Sequence, residues 1–264
     1  MAVNTVWEIQ NSDKALFPDV LWDKPENKIH ANSALIIGGS STNFHLVSDA
    51  YAYAQKINFA QLKFYLPKSL EKLTRSLLIN TEYGDINKSG SFAMTNLANL
   101  ISLSAQYDST ILIGNLGESS ETNLLFEKLS NQIINKNLIL CNDSLQFLNN
   151  QQLTTNPEKF TLIVELNQLQ KIIRLLNFSQ NIKSSDDLTI IADIVSKLAK
   201  KYLLKIVLRI NQHVLVFADD KCSLTKKNQI DDTWSSKISV EIASWINFDT
   251  PKKYERLTTA AFSI

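Results

Sequence analysis

Glycine is the residue this chain most conspicuously lacks: six in 264 residues, about a third of the roughly 7% of average usage. Glycine lets a backbone turn left-handed or press against a phosphate, so few segments can build such a cradle. Cysteine is scarce too. Cys141 sits in an apolar run and Cys222 in a polar stretch, with no CxxC spacing, which argues against a disulfide framework. His30, His45 and His213 are equally scattered, so no His/Cys metal site is expected. No apolar run reaches the ~18 residues of a membrane span, and the start MAVNTVWEIQNSDK has no signal-like core, so a cytoplasmic protein is expected. Charge of one sign is missing as well. With 27 basic and 26 acidic side chains the formal charge is +1, which gives no field toward nucleic acid or anionic membrane.

What is present is a globular composition, 44% apolar and 20% charged, sufficient for a sizeable core. Asparagine is frequent alongside isoleucine and lysine, a bias that reads as genomic. No linker or repeat divides the chain, so residues 1–264 read as a single domain. Seven short apolar runs read as buried strands: Ala34 to Ile37, Leu62 to Leu66, Thr110 to Ile113, Leu138 to Cys141, Phe160 to Val164, Lys205 to Leu208 and Val214 to Phe217. Amphipathic stretches alternate with them. Ser91 to Ala105 and Glu121 to Ile134 have helical spacing, the latter capped by Ser119 or Ser120, and Asp186 and Asp187 open a third helix ending in lysines. Strands apolar on both faces, alternating with helices, predict a mainly parallel sheet covered on both sides. Ligands of such sheets sit beyond the carboxyl ends of the strands.

Two of those ends carry glycine loops. Gly38-Gly39-Ser40-Ser41-Thr42-Asn43 follows the first strong strand, and Gly114-Asn115-Leu116-Gly117-Glu118-Ser119 follows another. Each could offer amides to an anion or simply turn the chain into a capped helix. Asp143, after Cys141-Asn142, could meet a metal or hydroxyl, or cap a short helix. Asp219-Asp220 and Asp231-Asp232 are adjacent acids and read as solvated loop charges. No Walker, GxSxG, HExxH or GxGxxG motif occurs.

Taken in order, these segments resemble the ATP- or ADP-dependent NAD(P)H-hydrate dehydratases of the ribokinase-like superfamily. Asn27-Lys28 followed by Gly38-Gly39-Ser40 is similar to the family's His-Lys-Gly and Gly-Gly-Ser opening. Asn58-Phe59-Ala60 stands for its Gly-Ala-Gly, Gly114-Asn115-Leu116-Gly117 for its Gly-Pro-Gly-Leu-Gly, and Leu140 to Leu145 for its Asp-Ala-Asp-Ala-Leu element, with only the second acid, Asp143, kept. Gln168 and Lys171 occupy the places of a His and a Glu, and Arg209 that of a Lys. Trp234-Ser235-Ser236-Lys237 matches Gly-Ser-Gly-Asp, whose aspartate is the family's base; Lys237 stands in its place. The chain ends at Ile264, before the family's last helical elements.

The resemblance implies a three-layer α/β/α ribokinase-like fold, ATP or ADP with Mg²⁺ as cofactor, and an NAD(P)H hydrate as substrate. It implies nucleotide or substrate contacts at Lys28, Gly38, Gly39, Ser40, Asn115, Gly117, Asp143, Gln168, Arg209, Ser235 and Ser236. Family members commonly form homo-oligomers, so self-association or pairing with an active paralogue is also implied. A charged lysine cannot accept the substrate proton, and side chains in place of glycines obstruct phosphate approach. The expectation is thus a catalytically impaired member that binds a nucleotide or a partner subunit, with an active dehydratase as the alternative.

Overall fold

A computed structural model describes residues 7–25 and 27–264. Glu26, next to the Asn27-Lys28 element, lies outside the described residues. Ten strands form one sheet: β1 (Glu8–Gln10), β2 (Ala34–Gly38), β3 (Leu62–Pro67), β4 (Thr81–Gly84), β5 (Ser109–Gly114), β6 (Asn137–Cys141), β7 (Phe160–Glu165), β8 (Lys205–Ile210), β9 (His213–Ala218) and β10 (Lys221–Lys226). Their spatial order is β1, β10, β9, β8, β7, β6, β5, β2, β3, β4. All neighbours run parallel except β8 with β9 and β9 with β10, which form antiparallel hairpins. Every apolar run read as a strand lies in this sheet.

The helices are α1 (Pro18–Leu21), α2 (His45–Ala54), α3 (Glu71–Thr74), α4 (Leu97–Gln106), α5 (Ser120–Gln132), α6 (Asn150–Thr155), α7 (Leu166–Leu175), α8 (Leu188–Tyr202), α9 (Trp234–Trp245) and α10 (Lys253–Ser263). Because strand side chains alternate, residues such as Leu35, Leu112, Leu140 and Leu162 face one way and join α4, α5, α7 and α8 in one core. Ile36, Ile111, Ile139 and Ile163 face the other way and meet α2, α9 and α10. The result is a three-layer α/β/α architecture with both sheet faces dry.

The strands without an apolar run were β1, β4 and β10. β10 reads Lys-Cys-Ser-Leu-Thr-Lys, and its buried hydroxyl face is satisfied by α10 and β1: Ser223 Oγ lies 2.8 Å from Thr258 Oγ1, and Gln10 Nε2 donates to Thr225 Oγ1 at 2.7 Å. Polar packing of this kind has no hydrophobic signature. Cys222, placed by its polar neighbours in a loop, is 3% exposed within β10.

α9 is buried along nearly its whole length and carries a charge inward. The Glu241 carboxylate, 2% exposed, accepts from Lys24 Nζ (2.8 Å), Trp245 Nε1 (2.7 Å) and Tyr53 Oη (3.1 Å). Burial, with the carboxylate alongside, pushes the Tyr53 phenol well above its ordinary range. Glu241→Ala strands buried donors, so urea unfolding should show a loss of about 2–3 kcal/mol; a change under about 0.5 kcal/mol would contradict this role.

Candidate functional site

The carboxyl ends of β2, β5, β6 and β7 open on a cleft with two lobes. One, about 490 Å³, is lined by Ser40 to Asn43, Ser89, Ser91, Asn115, Gly117, Glu118, Ser119 and Asp143. The other, about 650 Å³, runs past Asn115 and Asp143 to Asn142, Gln146, Asn167, Gln168 and Lys171, over an apolar floor that includes Leu46, Leu148 and Ile172. Asn115 and Asp143 belong to both lobes.

Asp143 fixes the arrangement. Its Oδ1 accepts from the Asn115 amide at 2.8 Å and its Oδ2 from the Leu116 amide at 3.2 Å. Asn115 has a φ of +57°, so the two successive amides form the kind of concave nest that holds an anion. Here the anion is the chain's own carboxylate. Gly114 permits the approach: a Cβ there would lie 2.4 Å from Asp143 Oδ1, and its φ is +110°. Asp143 thus joins the two strand ends through its carboxylate, and Cys141 rather than Asp143 stands at the cap of the short helix that follows.

The first glycine loop is closed in the same way. The Gly39 amide donates to the Gly114 carbonyl (3.1 Å), and Ser40 and Asn43 exchange backbone hydrogen bonds at 2.8 and 3.2 Å. Asn43 Oδ1 then accepts from the His45 amide at the start of α2. Gly38 is required by packing rather than by a ligand, since a Cβ would meet Ile113 Cγ2 at 2.3 Å. Gly117 packs on Ser91, and Ser119 caps α5 through the Thr122 amide at 3.1 Å, as its position before the helix suggested.

Further along the edge, Gln168 Nε2 donates to the Asn142 carbonyl at 3.1 Å, and Gln168 Oε1 caps its own helix through the Glu165 amide. Arg209 lies 3.7 Å from Glu165 Oε1, bonds the Asp231 carbonyl at 3.3 Å and sits over the Trp234 ring. At the start of α9, Ser235 is half-buried and Ser236 fully buried. Trp234 Nε1 and Ser236 Oγ are buried with no hydrogen-bond partner among the described residues. Lys237 forms an ion pair with Asp231. The Lys237 and Thr233 hydrogen bonds hold the Asp231 carboxyl below the usual carboxylate range. On α2, burial pushes the Asp49 carboxyl up, against the pull of His45 and Lys237.

Ser40, Asn115, Gly117, Asp143 and Gln168 therefore line one cleft, with Gly38 and Gly39 beneath it and Arg209 and the start of α9 on the same edge. Lys28 does not join them. It lines a separate cavity of about 560 Å³ with Gln61, Lys63, Asn80 and Thr81, at the amino ends of β3 and β4. The loop order that suggested it says nothing about which edge a segment reaches. Asn142, Gln146 and Asn167 were missed, because isolated amides in an asparagine-rich chain carry no motif. Asp231, read as a solvated loop charge, is exposed and also pairs with Lys237. Its spacing to Thr233, whose amide it accepts at 3.1 Å, was the available signal.

The chain matches no protein-family model and no curated protein. Among solved structures it is similar to a ribokinase-like superfamily protein from Enterococcus faecalis, with a TM-score of 0.74 and 13% identity over 98% of this chain and 87% of that one. It is similar to a protein from Streptococcus mutans, with a TM-score of 0.67 and 12% identity over 88% and 79% of the two chains. An ADP/ATP-dependent NAD(P)H-hydrate dehydratase from Bacillus subtilis, co-crystallised with ATP and Mg²⁺, gives a TM-score of 0.60 and 13% identity over 88% and 77%. The fold is ribokinase-like.

Asp143→Ala leaves two amides without an acceptor and should lower stability by about 1–3 kcal/mol. The vacated nest should then take an inorganic anion, so sulfate should recover part of the lost melting temperature in the variant beyond its effect on the parent. Equal sulfate responses would show that Asp143 does not fill an anion site.

Proposed function

We propose that this chain is a diverged NAD(P)H-hydrate dehydratase-like protein that binds a nucleotide in the carboxyl-edge cleft without the family's phosphoryl transfer. The observation that carries the reading is the ion pair of Lys237 with Asp231 at the start of α9, where the resemblance calls for a carboxylate base. A protonated lysine held by an acid donates hydrogen bonds and accepts none. Asp143, the remaining acid of the family's pair, has both oxygens engaged by amides, so the residues present do not fit a carboxylate seat for Mg²⁺ at that position, and no step is routed through the metal.

The binding part of the reading rests on the larger lobe. Its apolar floor and its wall of Asn142, Gln146, Asn167 and Gln168 suit a heterocyclic base, which stacks on apolar surface and exchanges hydrogen bonds with amides. Lys171 supplies a cation for a phosphate beside it. A cytoplasmic setting agrees with a nucleotide ligand; among the described residues no helix is long and apolar enough to cross a membrane.

Thermal unfolding with ATP, ADP or AMP and Mg²⁺, beside an assay for consumption of NADPH hydrate, tests both parts. Stabilisation of about 2.7 kcal/mol at roughly 100 times Kd without turnover is the expected result, and Gln168→Ala should reduce it. Turnover would establish the active dehydratase instead, and Lys237→Asp would then change the rate. No response to any nucleotide would remove the binding reading.

A role in assembly is favoured by one surface. Leu73, Leu77 and Ile79 are 54, 62 and 70% exposed on the segment leading into the edge strand β4, an apolar face of the kind that marks protein contacts. Sedimentation should reveal self-association that Leu77→Asp with Ile79→Asp abolishes; a parent that stays monomeric at high concentration would exclude a homo-oligomer through this face.

A further inference from the structure

The opposite, amino-terminal edge holds a second cavity of about 410 Å³, formed where α8, the β9–β10 turn and the start of α10 meet. Four lysines from different elements line it: Lys200 on α8, Lys205 at the start of β8, Lys221 on β10 and Lys253 on α10. Lys205 is the unusual one. It is 6% exposed, and its ammonium has one acceptor among the described residues, the carbonyl of Glu158.

Three acids share the cavity, Glu158, Asp219 and Asp220, yet none of their carboxylates forms an ion pair or hydrogen bond with Lys205. Asp220 is paired with Lys200 at 2.9 Å, and Asp219 accepts from the Tyr254 amide at 3.1 Å. Lys221 and Lys253 lie over the rings of Tyr254 and Phe248, 5.4 and 5.5 Å from the centroids. A buried ammonium with a single neutral acceptor is costly and must either shed its proton or find an anion. Burial, reinforced by Lys253 and opposed by Asp219 and Glu158, pulls Lys205 down to about 7.

We infer that this cavity is a binding site for a small oxyanion, a phosphate or carboxylate group that seats on the two unpartnered hydrogens of the Lys205 ammonium, with Lys200, Lys221 and Lys253 supplying the surrounding positive charge. The mixed rim of four lysines and the acids Glu158, Asp219 and Asp220 selects a compact ligand over an extended polyanion, because a long chain of charge would meet those carboxylates. The site is separate from the carboxyl-edge cleft, on the other side of the sheet's strand axis.

Lysine side-chain NMR of the whole chain, with inorganic phosphate and with malonate as probes, reads the site directly. Either anion should raise the Lys205 titration midpoint by a unit or more while raising the melting temperature, and the anion that acts identifies the group. Lys205→Met fills the same volume without charge and should abolish that thermal response while leaving the response to nucleotide in the cleft unchanged. A Lys205 midpoint that neither anion moves, or an anion response that survives Lys205→Met, would overturn the inference; should the variant fail to fold, the parent's titration decides alone.

Discussion

The two bonds from Asp143 to the amides of Asn115 and Leu116 govern the carboxyl edge of this protein. They join the ends of β5 and β6 and place an internal negative charge in the concavity between two glycine loops. Charge-assisted bonds of this type are the strong class, and two on one carboxylate fix its position between the loops. The rest of the edge follows the same principle. Lys237 is met by Asp231 and Arg209 by Glu165, so both cations are paired within the chain. Apart from Lys171 and the acids Glu118 and Asp143, the polar lining of the cleft consists of neutral amides and hydroxyls.

The layers of the fold were legible because a parallel sheet buried on both faces writes itself as continuous apolar runs, from Ala34-Leu35-Ile36-Ile37 to Val214-Leu215-Val216-Phe217. The edges were less so. β10 packs hydroxyls against Thr258, and Lys28 shares a motif order with Gly38 yet reaches the opposite side. Collinearity orders residues along the chain, and only the topology says at which end of a strand each loop emerges. Which amides Asp143 occupies is a contact across 27 and 28 residues of sequence, beyond what any local pattern records.

The shortage of glycine proved a poor measure of backbone freedom. Among the described residues ten non-glycine positions hold positive φ, and Asn80, Asn115, Asn135, Asn142, Asn177 and Asn211 are six of them. Asparagine tolerates the left-handed region better than other side chains because its amide bonds locally. Asparagine, frequent in this chain, thus serves several of the turns where glycine is missing. It also brings side chains to the turns: Asn115 and Asn142 line the cleft because they occupy positions that a glycine would leave bare.

Glu241 has a consequence for the order in which the molecule assembles. Its cation, Lys24, is 217 residues away in sequence, and Gln10 reaches Thr258 across 248. Contacts of such separation close the largest loops available and form slowly. Lys24 and Gln10 precede these partners by most of the chain, so both pairings can form only after α9 and α10 have been synthesised. The stretch from Gln10 to Lys24 reaches its place only by returning to helices made after it.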